Sequence, residues 1–262
     1  MYAEMIASEL AQQCNMQSAK YDLAIYNGKL GVVTPNFLKK GEIINSGKKY
    51  LEDAADIAKQ NNLNISFAVN SIDNILMAIS IKESIGSDLL EVFLLRLIEL
   101  WCFDLAIMES DRNSTNWGII KTYDNVKLSP VYDCSNMAKL NTNINDNIMY
   151  LRSENHLANI VDSIGYSLKY DNESKTNFYI DFEKLCISYP DIVDDILHRL
   201  NSMSVDKAIS DIEKRINKDL TKPNFEIPSV VGIWLNKLIK YRLTSMNCIY
   251  NNVTNKNKVK IK

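Results

Sequence analysis

Apolar positions recur every three to four residues over most of the chain after Lys40, and polar residues fill the gaps. That period predicts helices over roughly 47–60, 71–83, 87–109, 153–168, 176–188, 190–202, 204–218 and 228–249. Ser87 and Asp88 are placed to cap the long helix, Pro190 to open the one after Tyr189, and Pro228 to stand in a first turn. Ahead of this body, Met5, Ile6, Leu10 and Ala11 carry the same period through a helix over about 2–13. Two stretches break the pattern. Short apolar runs at 21–26 and 29–33 flank Asn27-Gly28, which suits a type I′ hairpin because both central residues then need positive φ; Thr34-Pro35-Asn36 ends it. A second hairpin is expected over 117–131, around Tyr123-Asp124-Asn125. The expected fold class is mainly α with small β-hairpins (α+β). Residues 256–262 are basic and polar and read as a frayed tail.

Composition narrows the function classes. The chain has 262 residues, a net charge of −2, and few glycines (8) or prolines (5). Neither a basic nucleic-acid-binding surface nor an acidic disordered segment is indicated. Five cysteines lie at 14, 102, 134, 186 and 248 with no C-x-x-C, and only His156 and His198 add to them, so a zinc site is not expected. Free thiols point to a reducing compartment and a cytoplasmic location. The N-terminus lacks the basic and apolar regions of a signal peptide. The most apolar stretch, 89–108, contains Glu91, Arg96, Glu99 and Asp104, which argue for a buried helix rather than a membrane span.

The candidate chemistry lies directly after that helix. Glu109-Ser110-Asp111-Arg112-Asn113-Ser114-Thr115-Asn116 sets an Asn five residues after an Asp, and Asp133 follows the second hairpin. Kinase-type phosphotransfer needs such a set: an Asp to take the hydroxyl proton, and an Asn and a second Asp to hold magnesium, a hard ion that prefers oxygen, against nucleotide phosphates. Asp111, Asn116 and Asp133 fit these roles in order. The plainer alternative is that Asp111 caps a turn with Asn113 and Asn116. A calcium loop fails, because Asn116 stands where Gly is needed and Thr122 where Glu is needed. Trp101, Trp117 and Trp234 read as core, and Cys134 as a packed structural thiol.

These motifs resemble the HipA-type kinases, bacterial Ser/Thr kinases of toxin–antitoxin modules that are distantly similar to phosphatidylinositol kinases. The resemblance lies in Asp111 to Asn116 and in Leu128-Ser129-Pro130-Val131-Tyr132-Asp133. It implies a kinase C-lobe with most of the N-lobe absent: an N-lobe remnant over 1–40, a helical catalytic lobe over 41–250, and the tail over 251–262. It also implies ATP and Mg2+, with Asp111 and Arg112 catalytic and Asn116 and Asp133 on the metal. Glu4 is similar to the αC glutamate that pairs with the nucleotide-binding Lys, and Val33, ending a hinge-like hairpin, is implied to touch the nucleotide. Arg112 is expected to stand in for a loop Lys replaced here by Thr115. No Gly-rich loop or strand Lys precedes Glu4 in these residues, so a separate N-lobe or antitoxin chain is an expected partner, and Met5 and Ile6 are expected to be partly uncovered. The implied activity is transfer of the ATP γ-phosphate to a protein Ser/Thr hydroxyl. A pseudokinase-like binding module is the alternative, with neither nucleic acid nor membrane as a direct partner.

Overall fold

Helix α1 (Tyr2–Gln13) is built from strong helix formers and is buried on almost every side, from Ala3 through Ser8 and at Leu10 and Ala11. It stops where Asn15 turns left-handed (φ 63°). In the computed structural model, which describes residues 1–83, 85–140, 142, 144, 148–172, 177–218 and 224–260, α1 is part of the same apolar core as the later helices. It packs on the helix Val205–Asn217, Gln13 bonds both backbone groups of Ser204, and the Tyr2 ring lies 6.4 Å from Phe225. One expectation is therefore corrected. Met5 and Ile6 are fully buried, on a helix that packs against Val205–Asn217 and the turn Met137–Lys139.

The hairpin forms as expected. Strands β1 (Asp22–Tyr26) and β2 (Lys29–Val33) pair antiparallel, and Asn27 (φ 50°) and Gly28 (φ 72°) supply the positive-φ turn. It stands apart as a two-stranded sheet, with Ile25, Tyr26, Leu30 and Val33 exposed. The second hairpin, β4 (Gly118–Lys121) and β5 (Val126–Leu128), is joined by a strand that periodicity does not reveal, β3 (Ile43–Ser46), giving the order β3-β4-β5. β3 is only four residues long, and pairing with β4 is what defines it.

The remaining helices follow the expected order: α2 (Gly47–Gln60), α3 (Ile72–Glu83), α4 (Ser87–Ile107), α5 (Glu154–Asp162), α6 (Phe178–Ser188), α7 (Pro190–Asn201), α8 (Val205–Asn217) and α9 (Ser229–Lys260). Three boundaries differ. Gly86, not Ser87 or Asp88, is the N-cap of α4. α5 stops at Asp162, because 167–169 is drawn into backbone bonds with Ser110, Asn70 and Ile72. α9 continues through Lys260 into the expected tail, held by the buried side chain of Val253 and by Thr254 bonding the Tyr250 carbonyl. Thr176, the expected start of α6, and residues 261–262 lie outside the described residues. α4 is the central rod, buried from Leu97 to Ile107. It is tied to α7 and the end of α1 through Arg199, which bonds Glu99 and the Cys14 carbonyl.

Candidate active site

α4 ends in an unusual way. Met108 closes it in the left-handed region (φ 57°), a conformation that turns the chain sharply and that a non-glycine residue adopts only under tertiary constraint. The next residues form the loop that carries Asp111 and Asn116. Glu109 is buried, and its carboxylate accepts from the Asp111 N–H (2.7 Å) and the Asn136 N–H (3.2 Å). One side chain thus bridges the loop and the segment after Asp133.

Arg112 forms the second bridge. Its Nε and Nη2 donate to the two oxygens of Asp104 on α4 (3.0 and 2.9 Å). Nη1 donates to the carbonyls of Asn116 (2.8 Å) and Tyr132, and Nη2 also to the Cys134 thiol (3.1 Å). All five N–H groups of the guanidinium are used. Arg112 is 1% exposed, so the expectation that it offers a cation to phosphate is corrected: it is a positioning residue. Burial opposes its charge, but the Asp104 carboxylate overrides burial and keeps the guanidinium protonated.

The loop is also held from outside. Asn70 donates to the carbonyls of Arg112 (2.7 Å) and Ser167 (3.2 Å) and accepts from the Trp117 indole (3.0 Å). The Ser167 N–H and hydroxyl both reach the Ser110 carbonyl (3.2 and 2.8 Å). At the start of α2, Lys48 N donates to the Ser114 carbonyl (2.6 Å) and Gly47 N to that of Trp117 (2.8 Å). A Cβ on Gly47 would lie 2.2 Å from the Trp117 ring, so only glycine fits there. Sequence reasoning missed Asn70 and Ser167. Each is a lone polar residue outside any motif, and only the fold brings them to the loop.

The other half of the site is the stretch around Asp133. Asp133 takes a left-handed conformation (φ 54°), which Asp tolerates better than most residues. Its N–H donates to the Tyr21 hydroxyl (3.1 Å), which in turn hydrogen-bonds Glu4, and the Glu4 carboxylate accepts the Cys134 N–H (3.0 Å). Residues 17–19 pair with Val131, and Phe37 stacks on Tyr132 with ring centroids 5.9 Å apart, so both ends of the exposed hairpin flank Asp133. Val33 lies at the end of β2, half exposed, with its backbone paired to Asp22.

Hydrogen bonds join the two halves. Asn136 Nδ2 donates to Asp111 Oδ2 (3.3 Å), and the Tyr132 hydroxyl to the Thr115 carbonyl (3.2 Å). Asn116 Nδ2 donates to the Asp111 carbonyl (2.7 Å), which leaves its amide oxygen as an acceptor, met by the Thr115 hydroxyl at 3.1 Å. Burial, then the Asp104 charge, raises the Glu109 carboxyl to about 8. Burial also raises Glu4, with Asp133 adding to it. The Cys134 thiol is pushed up by burial and is inert, as expected of a packed thiol.

The donor set of Asp133 and Asn116 is all oxygen, which suits magnesium more than a thiophilic metal. Among the described residues there is no cluster of three His, Cys, Asp or Glu that would hold a metal with protein side chains alone. Asn116 and Asp133 would offer magnesium two oxygen ligands, with phosphate and water to complete its shell. No helix of the described residues is long and apolar enough to cross a membrane.

The helical body with its two small antiparallel sheets has a HipA-like kinase fold. Comparison with solved structures supports the same class. The proinflammatory kinase CtkA of Helicobacter pylori superimposes with a TM-score of 0.71 at 16% identity, over 97% of this chain and 83% of that one. HipA of Shewanella oneidensis MR-1, solved with HipB and operator DNA, does so with a TM-score of 0.59 at 12% identity, over 96% of this chain and 57% of HipA. No protein-family model matches the chain, and no curated protein matches it in sequence.

Proposed function

We propose that this chain is the catalytic body of a magnesium-dependent kinase that transfers the ATP γ-phosphate to a Ser or Thr hydroxyl of a protein. The observation that carries the reading is the double bridge of Glu109 and Arg112, which sets the Asp111–Asn116 loop against the Asp133 segment in a kinase-like fold. Asp111 orients the acceptor hydroxyl and takes its proton. Asn116 and Asp133 hold magnesium, which offsets phosphate charge when bound. Val33 borders the nucleotide at the end of the hinge-like hairpin. Glu4 fixes the Asp133 segment through the Cys134 N–H. An N-lobe or a partner of the antitoxin kind adds a lid and a further cation over the phosphates.

The test is a radiolabelled-ATP transfer assay with and without magnesium, alongside nucleotide binding by calorimetry. Asp111→Asn is expected to abolish transfer and keep binding. Asp133→Asn, which suits the left-handed backbone, is expected to abolish magnesium-dependent binding at unchanged stability. Nucleotide binding that ignores both magnesium and Asp133 would sink the reading.

One observation favours the alternative, a binding module without transfer: the Glu4 carboxylate is already engaged by Cys134 and Tyr21. Failure of transfer with a matched N-lobe supplied, while nucleotide still binds, would select it.

A further inference from the structure

A cavity of about 410 Å3 opens between α4, residues 162–169, the start of α6 and the middle of α9, away from Asp111, Asn116 and Asp133. Trp101, Tyr166, Phe178 and Tyr179 supply flat apolar walls, and Arg242 lines it from α9. Arg242 is 1% exposed. Its Nη2 donates to the Val161 carbonyl (2.8 Å), and its guanidinium sits 3.9 Å from the Phe178 ring centroid. Its Nε and Nη1 make no hydrogen bond of good geometry among the described residues, and the Tyr166 hydroxyl is the polar group close enough to interact with the guanidinium. A buried cation with two unused donor nitrogens is costly, and native proteins leave few such groups unexplained. Contrast Arg112, equally buried, where every N–H is matched.

We propose that this cavity binds a small organic acid with one carboxylate and a flat apolar body, the carboxylate meeting Arg242. The size falls within the usual range for ligand pockets. Guanidinium is the side chain best suited to a carboxylate, and the aromatic walls suit a planar hydrocarbon. The other charged residues limit the ligand's charge. Lys169 adds a cation to the lining, but Asp162, bonded by the Tyr179 hydroxyl (2.7 Å), and the buried Asp181 add two carboxylates. Those four charges cancel, so a ligand with a single carboxylate adds one negative charge beside Arg242, whereas a phosphate dianion adds two and meets more repulsion from Asp162 and Asp181. The cavity wall also reaches toward the proposed catalytic loop: Ser167, between the lining residues Tyr166 and Leu168, holds the Ser110 carbonyl, so the ligand would rest against the segment that steadies that loop.

The test is calorimetric titration of the whole chain with sodium benzoate, neutral benzamide and phenyl phosphate. Benzoate is expected to bind saturably and both others at least about tenfold more weakly, and Arg242→Met is expected to erase the preference for benzoate over benzamide. A second readout needs no substitution in the cavity. The Trp101 indole N–H donates to the Leu168 carbonyl on the cavity wall (3.2 Å), while those of Trp117 and Trp234 bond Asn70 and Ala138 elsewhere. Benzoate is expected to move the Trp101 indole resonance alone in a nitrogen–proton correlation spectrum. Equal binding of benzoate and benzamide, tighter binding of phenyl phosphate, a shift confined to Trp117 or Trp234, or no saturable binding would each overturn the proposal.

Discussion

The loop from Glu109 to Asn116 and the hairpin β1–β2 meet at Asp133, yet they are stabilised in opposite ways. The hairpin is specified within its own twelve residues, by an Asn-Gly turn and two short strands, and its apolar residues at 25, 26, 30 and 33 remain exposed. The loop has turn bonds of its own, among Glu109, Asp111, Asn113, Thr115 and Asn116, but its placement comes from elsewhere. Its backbone is held by Arg112 and Glu109 from within, by Asn70, Ser167 and Lys48 from without, and by Asp104 beneath. Chemistry that depends on position is placed where distant parts of the chain over-determine it. The hairpin, at the margin of the site, keeps its apolar faces exposed.

The sharpest way to break this contrast is to remove the hub. Arg112→Met leaves Asp104 charged and buried without a partner and strips donors from two carbonyls, so it is expected to destabilise the protein by about 3–5 kcal/mol in urea unfolding, enough to unfold a marginal domain. Adding Asp104→Leu should recover much of the loss, since replacing a whole buried pair with apolar groups is far milder than halving it. A loss under about 1 kcal/mol for Arg112→Met alone would mean that the loop does not depend on its hub.

Glu109 sharpens the same contrast through pH. Its folded-state value of about 8 lies above the ordinary 4.5, so the folded protein holds a proton that the unfolded chain releases. Its contribution to stability is therefore complete below about 4.5, declines as pH rises, and is gone above about 8. The slope is at most about 1.4 kcal/mol per pH unit. The difference in unfolding free energy between the protein and Glu109→Gln, measured from pH 5 to 9, is expected to shrink across that window. A flat difference would show the carboxylate to be ionised throughout.

How far the sequence foretold the molecule follows the same division. The hairpin, the long α4 and Pro190 opening α7 all announce themselves through local signals: a turn dipeptide, a period, a first-turn proline. What could not be read locally was what depends on partners far along the chain. β3 exists because β4 pairs with it. α1 is buried because α8 and the residues beyond it cover it. Arg112 stands beside Asp111 in sequence, and only the bonds to Asp104 and Tyr132 show that it faces inward. Asn70 carries no motif at all. Asn70→Ala, which unties Arg112, Ser167 and Trp117 together, is expected to cost about 1–3 kcal/mol in urea unfolding. It is also expected to weaken magnesium-dependent nucleotide binding. Unchanged binding at that loss of stability would make Asn70 a purely structural tie.

The smallest expected effect lies in the hairpin and tests the other side of the contrast. Gly28 sits at φ 72°, and a Cβ there meets nothing within 4 Å, so Gly28→Ala adds backbone strain and no clash. The strain is about 1 kcal/mol. If the hairpin opens independently of the core, that strain raises its open population without touching global unfolding. Amide exchange at the cross-strand-bonded residues Ala24 and Tyr26 is then expected to speed up about fivefold, while the urea midpoint and exchange in α4 stay where they are. The loop gives the opposite pattern, because a substitution at Arg112 weakens the cooperative core that includes α4. Should Gly28→Ala lower global stability by the full strain, the hairpin would belong to the same cooperative unit as the loop, held by Tyr21 and Phe37 at its ends more firmly than its exposed faces suggest.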